Sequence, residues 1–154
     1  MATTISGDTG IDKVADGADM PAGTTIRSGN TKHTTYVATT SSSYVLAYTF
    51  TVTGVTAGNT LNMTYSVCDL VENVNNVKFR VIDADSNVLV EWGRQTNSNG
   101  GWRGIIADAA FSDPSPVSGT NTYTLQFKCS AGQAYLNYAS EPYSSFLTWQ
   151  EIKG

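Results

Sequence analysis

The sequence predicts an all-β protein, an antiparallel β-sandwich of about eight strands preceded by an extended N-terminal arm. Three observations predict this fold. Only 14% of the residues are charged, whereas Thr, Ser, Asn and Gly are abundant, and these residues suit pleated surfaces and turns. From Ser43 onward, apolar and polar residues alternate with the period of a strand. No segment shows the 3.6-residue apolar period of an amphipathic helix.

The first 43 residues are predicted to form the arm and its lead-in. All 16 aromatic residues lie at or after Tyr36, and the apolar residues of the arm are few. They are Ile5, Ile11, Val14, Met20 and Ile26. So small an apolar surface does not offset the entropy of ordering the segment, and we expect a partner chain to hold it. These five residues and Asp8 are the predicted partner contacts.

Residues 44–154 are predicted to form the sandwich, and the first two strands each have one apolar face. A turn at Ala57–Asn59 separates them. The residues predicted to point inward are Leu46, Tyr48, Phe50 and Val52 in the first strand, and Leu61, Met63, Tyr65 and Val67 in the second.

The later strands follow the same pattern. Their predicted inward residues are Val77, Phe79 and Val81, then Val88, Val90 and Trp92, and then Tyr123, Leu125 and Phe127. The segments 102–111, 133–140 and 145–152 complete the series. Turn-forming residues at 83–87, 93–101 and 112–116 lie between the strands.

Two acidic motifs resemble cation sites. Asp83–Asn87 begins like an EF-hand loop, but Val88 stands where that loop needs Gly and Arg94 where it needs Glu. We therefore predict a hairpin turn. The aspartates of the arm, at positions 8, 12, 16 and 19, have near-helical spacing, but Gly10 and Gly17 disfavour a helix, and we interpret them as a solvated acidic edge. We expect neither a metal nor a cofactor.

Catalysis is not expected. Asp8-Thr9-Gly10 matches the tripeptide of aspartic proteases, but it lies in the segment least able to form a core. His33 is the only histidine, lies among polar residues, and is predicted to be exposed. Cys68 shares alternation with polar residues and Cys129 with apolar ones, and in a reducing compartment we expect thiols rather than a disulfide.

The composition also bears on partners and location. Nine basic and 13 acidic residues give a formal net charge of −4, without the basic cluster typical of nucleic-acid binding. No apolar run reaches the roughly 18 residues of a membrane span. The N-terminus lacks the pattern of a secretory signal. We therefore expect synthesis in a cytoplasm and binding to neither nucleic acid nor membrane.

One loop has the composition of a glycan site. Trp92 and Trp102 flank a polar stretch within the loop from Gly93 to Gly104, and an aromatic face can pack on a sugar ring. The candidate glycan-binding residues are Trp102, Arg94, Arg103, Asn97 and Asn99. The alternative is that Trp92 belongs to the core and Trp102 covers the end of the sandwich.

Two resemblances sharpen this interpretation. "ISGDTGIDKV", "DGADMPAGTTIR", the Ser/Thr-rich lead-in and the closing "SSFLTWQEIKG" resemble accessory virion proteins of tailed bacteriophages, which implies a trimeric β-sandwich displayed on a virion. The size is closer to a capsid decoration protein or a short head fibre than to a long fibre. Second, about Val55 to Ser140 is similar in strand order to jelly-roll carbohydrate-binding modules, which implies a jelly-roll fold.

These inferences predict a non-enzymatic capsid decoration (cement) protein on the virion surface, assembled in the cytoplasm of a host bacterium. Its expected partners are the major capsid protein lattice and itself, as a homotrimer. One alternative is a tail or head fibre that binds a host glycan through the loop from Gly93 to Gly104. The other is a free carbohydrate-binding module.

Overall fold

The computed structural model describes residues 20–72, 76–95, 102–137 and 144–154, which form ten β-strands and no helix. The strands are β1 (Thr25–His33), β2 (Val37–Thr39), β3 (Val45–Val55), β4 (Thr60–Glu72), β5 (Asn76–Ile82), β6 (Val88–Gln95), β7 (Trp102–Asp113), β8 (Gly119–Cys129), β9 (Gln133–Leu136) and β10 (Ser145–Ile152). The all-β prediction is confirmed.

The strands form two antiparallel sheets in jelly-roll order. In the first sheet β4 pairs with β7 on one side, and on the other with β10 over Thr60–Ser66 and with β9 over Asp69–Glu72. Strands β1 and β2 then pair with β10 and β9. The second sheet has the order β3-β8-β5-β6. If the end-to-end pairs β1/β2 and β9/β10 each count as one, the described sandwich has the eight strands of a jelly roll.

The sandwich begins earlier in the chain than residue 44. Strand β1 pairs with β10 from Thr25 opposite Ile152 to His33 opposite Ser145. Ile26, which was predicted to contact a partner from the arm, therefore lies in the sheet. The sequence did not indicate this strand because β1 is a polar strand at the edge of the sheet, with no fully buried residue. Hydrogen bonding to β10 compensates for its small apolar surface.

The core lies between the two sheets and contains most of the predicted inward residues. Those buried as predicted are Tyr48, Phe50, Val52, Leu61, Met63, Tyr65, Val67, Val77, Phe79, Val81, Tyr123, Leu125 and Phe127. Aromatic rings bridge neighbouring strands: Phe79 and Phe127 stack at 6.5 Å between centroids, and Phe50 and Tyr123 at 5.3 Å. The alternation of one apolar face per strand thus forms one continuous core.

Two predicted core residues are exposed instead. Leu46 is 59% exposed and Val88 is 50% exposed. The pairing of β3 with β8 shifts register between Leu46 and Tyr48, and that of β5 with β6 shifts between Val81 and Ile82. A one-residue shift turns the side chains beyond it to the other face of the sheet. Strict alternation therefore fails at these two places.

Candidate functional site

A buried carboxylate fixes the end of the sandwich at which residues 1–19 join it. Glu151 of β10 is 1% exposed. It accepts hydrogen bonds from the Thr56 backbone N–H at 2.8 Å, from Asn59 Nδ2 at 2.7 Å and from Arg27 Nε of β1. We call Arg27, Thr56, Asn59 and Glu151 the Glu151 clasp. It ties β1, the β3–β4 turn and β10 together.

The charge state of Glu151 follows from these contacts. Burial alone would raise its pKa, but hydrogen bonds from Thr56, Asn59 and Arg27, together with the charge of Arg27, hold the pKa of the carboxyl below its ordinary value. The ionised carboxylate is therefore the stable form at neutral pH.

The Arg27 side chain also covers an aromatic ring. Its guanidinium carbon lies 5.4 Å from the centroid of Trp149, within cation–π range. The indole in turn occupies the space above Gly29, where a Cβ would lie 2.6 Å from the ring. A side chain at this position would displace Trp149, so Gly29 is required for the close approach.

The other end of β1 is held by a second polar contact. Asn137 Nδ2 donates to the backbone oxygen of His33 and to the hydroxyl of Tyr48, both at 2.8 Å. Its Oδ1 accepts a hydrogen bond from Ser145 Oγ at 2.9 Å. Because β1 is fixed at both ends, it is a structural part of the sandwich. Neither Glu151 nor Asn137 stood out in the sequence, since their partners are distant along the chain.

The residues predicted to bind a partner from the arm are only partly within the described structure. Ile5, Asp8, Ile11 and Val14 lie outside the described residues. Met20 is the first described residue and is partly buried, as is Ile26 in β1. The backbone next to them closes onto the C-terminal strand, because Gly23 N donates to Lys153 O at 2.8 Å and Lys153 N to Thr24 O at 2.9 Å.

The predicted glycan loop is also only partly described. Asn97 and Asn99 lie outside the described residues. Arg94 is near the end of β6, opposite Val77, and Trp102 and Arg103 begin β7, where Trp102 is opposite Glu72. The backbone at these positions lies at the end of the sandwich opposite the Glu151 clasp. Trp92 is partly buried against the core, in line with its core interpretation.

A feature not predicted from the sequence is the outer face of the first sheet. Residues that pair across β1, β10, β4 and β7 form three rows of side chains, which we call the polar face. The rows are Ser28, Gln150, Asn62 and Ser112; then Asn30, Thr148, Thr64 and Ala110; then Lys32, Phe146, Ser66 and Asp108. The first two rows line a depression of about 880 Å³.

The first two rows of the polar face are rich in uncharged polar side chains. In its first two rows seven of eight side chains are uncharged hydrogen-bonding groups, and all eight residues are exposed. Such a surface suits a neutral, polar partner such as a glycan. The sequence showed the polar half of each alternation, but only the strand order brings these residues from distant segments together.

The structure also bears on the other predicted motifs. The hairpin turn at 83–87 is confirmed: one oxygen of the Asp83 carboxylate accepts the backbone N–H groups of Asp85 at 2.9 Å and Asn87 at 2.8 Å. Within the described segments, no three His, Cys, Asp or Glu side chains lie close enough together to hold a metal ion. Asp8 of the protease-like tripeptide lies outside them.

The prediction of an exposed His33 is wrong. Its ring is partly buried and stacks on Tyr48 at 4.5 Å and on Tyr65 at 5.9 Å between centroids. Burial lowers its pKa and so favours the neutral imidazole. The polar neighbours in sequence did not reveal that the alternation of β1 turns His33 toward these rings.

The two cysteines are both buried thiols, not a disulfide. Burial of Cys129 agrees with its predicted parity, whereas Cys68 was predicted on a polar face and is only 9% exposed. Cys68 lies in β4 between the part of the strand that pairs with β10 and the part that pairs with β9. The backbone N–H of Asn137 donates to the backbone oxygen of Cys68 at 3.2 Å.

In the part of the chain that is described, no helix is long and apolar enough to cross a membrane.

No protein-family model matches the chain, and no curated protein matches it. Among solved structures, the chain is similar to dimeric latent PorU from Porphyromonas gingivalis, with 9% identity, TM-score 0.48, and coverage of 89% of this chain and 14% of that one. It is similar to the Eiger TNF from S. frugiperda, with 11% identity, TM-score 0.46, and coverage of 80% and 90%. It is also similar to a D431N mutant of the infectious bursal disease virus VP2 protein in T=1 particles, with 10% identity, TM-score 0.39, and coverage of 82% and 36%.

The chain thus spans about one seventh of the PorU chain and about a third of the VP2 chain, and most of the Eiger TNF chain. A viral capsid protein is among the similar structures. Because these TM-scores are below 0.5, the fold assignment rests on the strand order of the chain itself and not on these similarities.

Proposed function

We propose that the chain is a non-enzymatic virion structural protein, a capsid decoration protein that binds the head through residues 1–19. The observation that carries this proposal is that the described strands, from Thr25 to Ile152, pair into two sheets around one core. The Glu151 clasp closes this unit at its N-terminal strand. Residues 1–19 lie outside the described residues, and we propose that they bind a partner.

The composition of residues 1–19 supports a binding role. Their apolar side chains, chiefly Ile5, Ile11 and Val14, are too few to form a core. Extended segments of this kind gain stability by lying along another surface, where backbone and side chains find hydrogen-bond partners. We propose the major capsid protein lattice as that surface.

Binding of this kind would stabilise the particle. A protein that binds only the assembled lattice shifts the assembly equilibrium toward it. A homotrimer would bind through several copies at once and with higher avidity than a single copy. The proposed location is the virion surface, after assembly in the bacterial cytoplasm.

Electron microscopy tests the location. Particles that lack the chain are incubated with gold-labelled full-length protein and viewed in negative stain. The proposal predicts gold over the head shell. Gold confined to the tail would favour a fibre protein, and particles without gold would contradict a virion role.

The polar face favours a second candidate, a fibre or module that binds a neutral glycan. Its depression has the uncharged hydrogen-bonding groups that sugars require. Screening the protein against a glycan array tests this function. Loss of a bound glycan in Asn62→Ala/Gln150→Ala, but not in the control Thr51→Ala on the second sheet, would support it, and a blank array would contradict it.

A further inference from the structure

The outer face of the second sheet carries a concentration of positive charge, although the chain is acidic overall. Lys78 of β5 lies directly opposite Lys128 of β8. The Lys128 ammonium and the Arg80 guanidinium lie 4.3 Å and 4.2 Å from the ring centroid of the same tyrosine, Tyr44. We call Tyr44, Lys78, Arg80 and Lys128 the basic patch.

The described residues neutralise this patch only in part. Like charges directly opposite each other on neighbouring strands are destabilising. Glu91 lies 3.4 Å from Lys78 in an exposed ion pair, and Arg80 donates to the neutral Gln126 at 2.7 Å. Three cations and one carboxylate leave a formal charge of +2 on a chain whose net charge is −4. An anionic partner would relieve the repulsion between the lysines.

The patch also borders a cleft that could receive such a partner. The cleft has a volume of about 410 Å³ and lies beside Lys78 and Lys128. Its other lining residues include Ser42, Asn76 and Ser130, whose hydroxyl and amide groups can hydrogen-bond a carboxylate. Lysines beside such groups form a site for acidic side chains.

The chain itself contains an acidic segment of suitable charge. Residues 1–19 hold four aspartates, Asp8, Asp12, Asp16 and Asp19, and one lysine, Lys13, which is a formal charge of −3. This segment joins the sandwich at Met20, beside the Glu151 clasp. The basic patch lies near the start of β5 and the end of β8, at the opposite end of the sandwich.

We propose that residues 1–19 of one copy bind the basic patch of a second copy. The inference rests on the binding role proposed above for these residues and adds a second copy of the chain to the capsid lattice as their partner. The two complementary surfaces lie at opposite ends of one molecule, so the contact is head to tail and closes into a ring or continues as a filament. A homotrimer is one such ring.

The length of the segment permits this contact. Nineteen extended residues span about 60 Å, whereas the eleven residues of β8 span about 35 Å. The segment can therefore leave its own sandwich and still run along a neighbouring one.

Charge reversal tests the proposal, with sedimentation velocity as the readout. The patch variant is Lys78→Glu/Lys128→Glu, and the arm variant is Asp12→Lys/Asp16→Lys. The matched control is Lys32→Glu/Lys153→Glu. It changes the net charge by the same amount and in the same direction as the patch variant, but at positions outside the patch. We expect the wild type and the control to associate at about 0.05 M salt and to dissociate at about 0.5 M, where charges are screened.

Each reversed variant alone should remain monomeric, and an equimolar mixture of the two should associate again, because each arm then meets a patch of opposite charge. A wild type that is monomeric under all conditions, a patch variant that associates like the control, or a mixture that stays monomeric would overturn the proposal. Thermal unfolding checks that the patch variant is folded, and the arm variant provides the same test without altering the sandwich.

Two possible results distinguish failure of this proposal from failure of the proposed function. If residues 20–154 fail to bind particles while the reversed variants associate like the wild type, the arm binds the capsid but not a second copy. If the mixture associates but full-length protein does not bind particles, the head-to-tail contact is supported and the decoration function is contradicted.

Discussion

Glu151 joins three elements through one carboxylate, so its charge should control the stability of the N-terminal end of the sandwich. Its pKa in the folded protein is lowered from an ordinary value of 4.5. The charged form therefore stabilises the fold fully above about pH 4.5, and this contribution is lost as the pH falls through the folded pKa. Acid should loosen the attachment of β1 first.

Glu151→Gln tests this account. We expect the free energy of unfolding to fall by about 1–3 kcal/mol at pH 7, since Gln keeps one acceptor but loses the ion pair with Arg27. As the pH falls below about 4.5, the variant should lose less further stability than the wild type. Urea unfolding at several pH values measures both effects, with Asp108→Asn on the polar face as the control. Parallel pH profiles for Glu151→Gln and the wild type would contradict the account.

The register shift in β3 exposes Leu46, so truncating Leu46 should reduce stability much less than truncating the buried Phe127. Phe127 is fully buried and Leu46 is 59% exposed. Phe127→Ala should lower the free energy of unfolding by about 3–5 kcal/mol, and Leu46→Ala should change it by less than about 0.5 kcal/mol. Urea denaturation of both variants is the measurement. A large loss of stability in Leu46→Ala would contradict the register shift and indicate that Leu46 points into the core.

At the scale of elements, sequence alternation predicted the strands whose inner faces are buried, because a strand with one apolar face has a period of two. It could not predict β1. Apart from Ile26 this strand is polar. Its stability comes from pairing with β10, from the Glu151 clasp and from Asn137, all distant in sequence. The bulges at Leu46 and Val88 escaped prediction for a related reason, since register is decided by the partner strand.

The extent of β1 leads to a prediction about truncation. Protein comprising residues 20–154 should fold with a melting temperature close to that of the full chain, because the described strands are complete within it. Protein comprising residues 36–154 lacks β1, leaves the edge of β10 unpaired and removes Arg27 from Glu151, so it should aggregate or unfold. Circular dichroism and thermal melts of both proteins test this. Equal stability of the two would show that β1 is dispensable.

At the scale of the whole molecule, the strand order determines which surfaces exist. Segments far apart in sequence form the polar face, and β5 with β8 forms most of the basic patch. The sequence showed the residues of both surfaces but not their adjacency. The candidate site was predicted at the arm and at the loop from Gly93 to Gly104, and the structure adds the clasp that fixes the arm's point of attachment.

The most direct test of the central claim is co-sedimentation of full-length protein and of residues 20–154 with particles that lack the chain. We expect full-length protein to bind. The truncated protein should remain folded but bind at least about tenfold more weakly, because it lacks the contacts that residues 1–19 make on the particle. Equal binding by the two proteins would contradict the claim that residues 1–19 bind the particle.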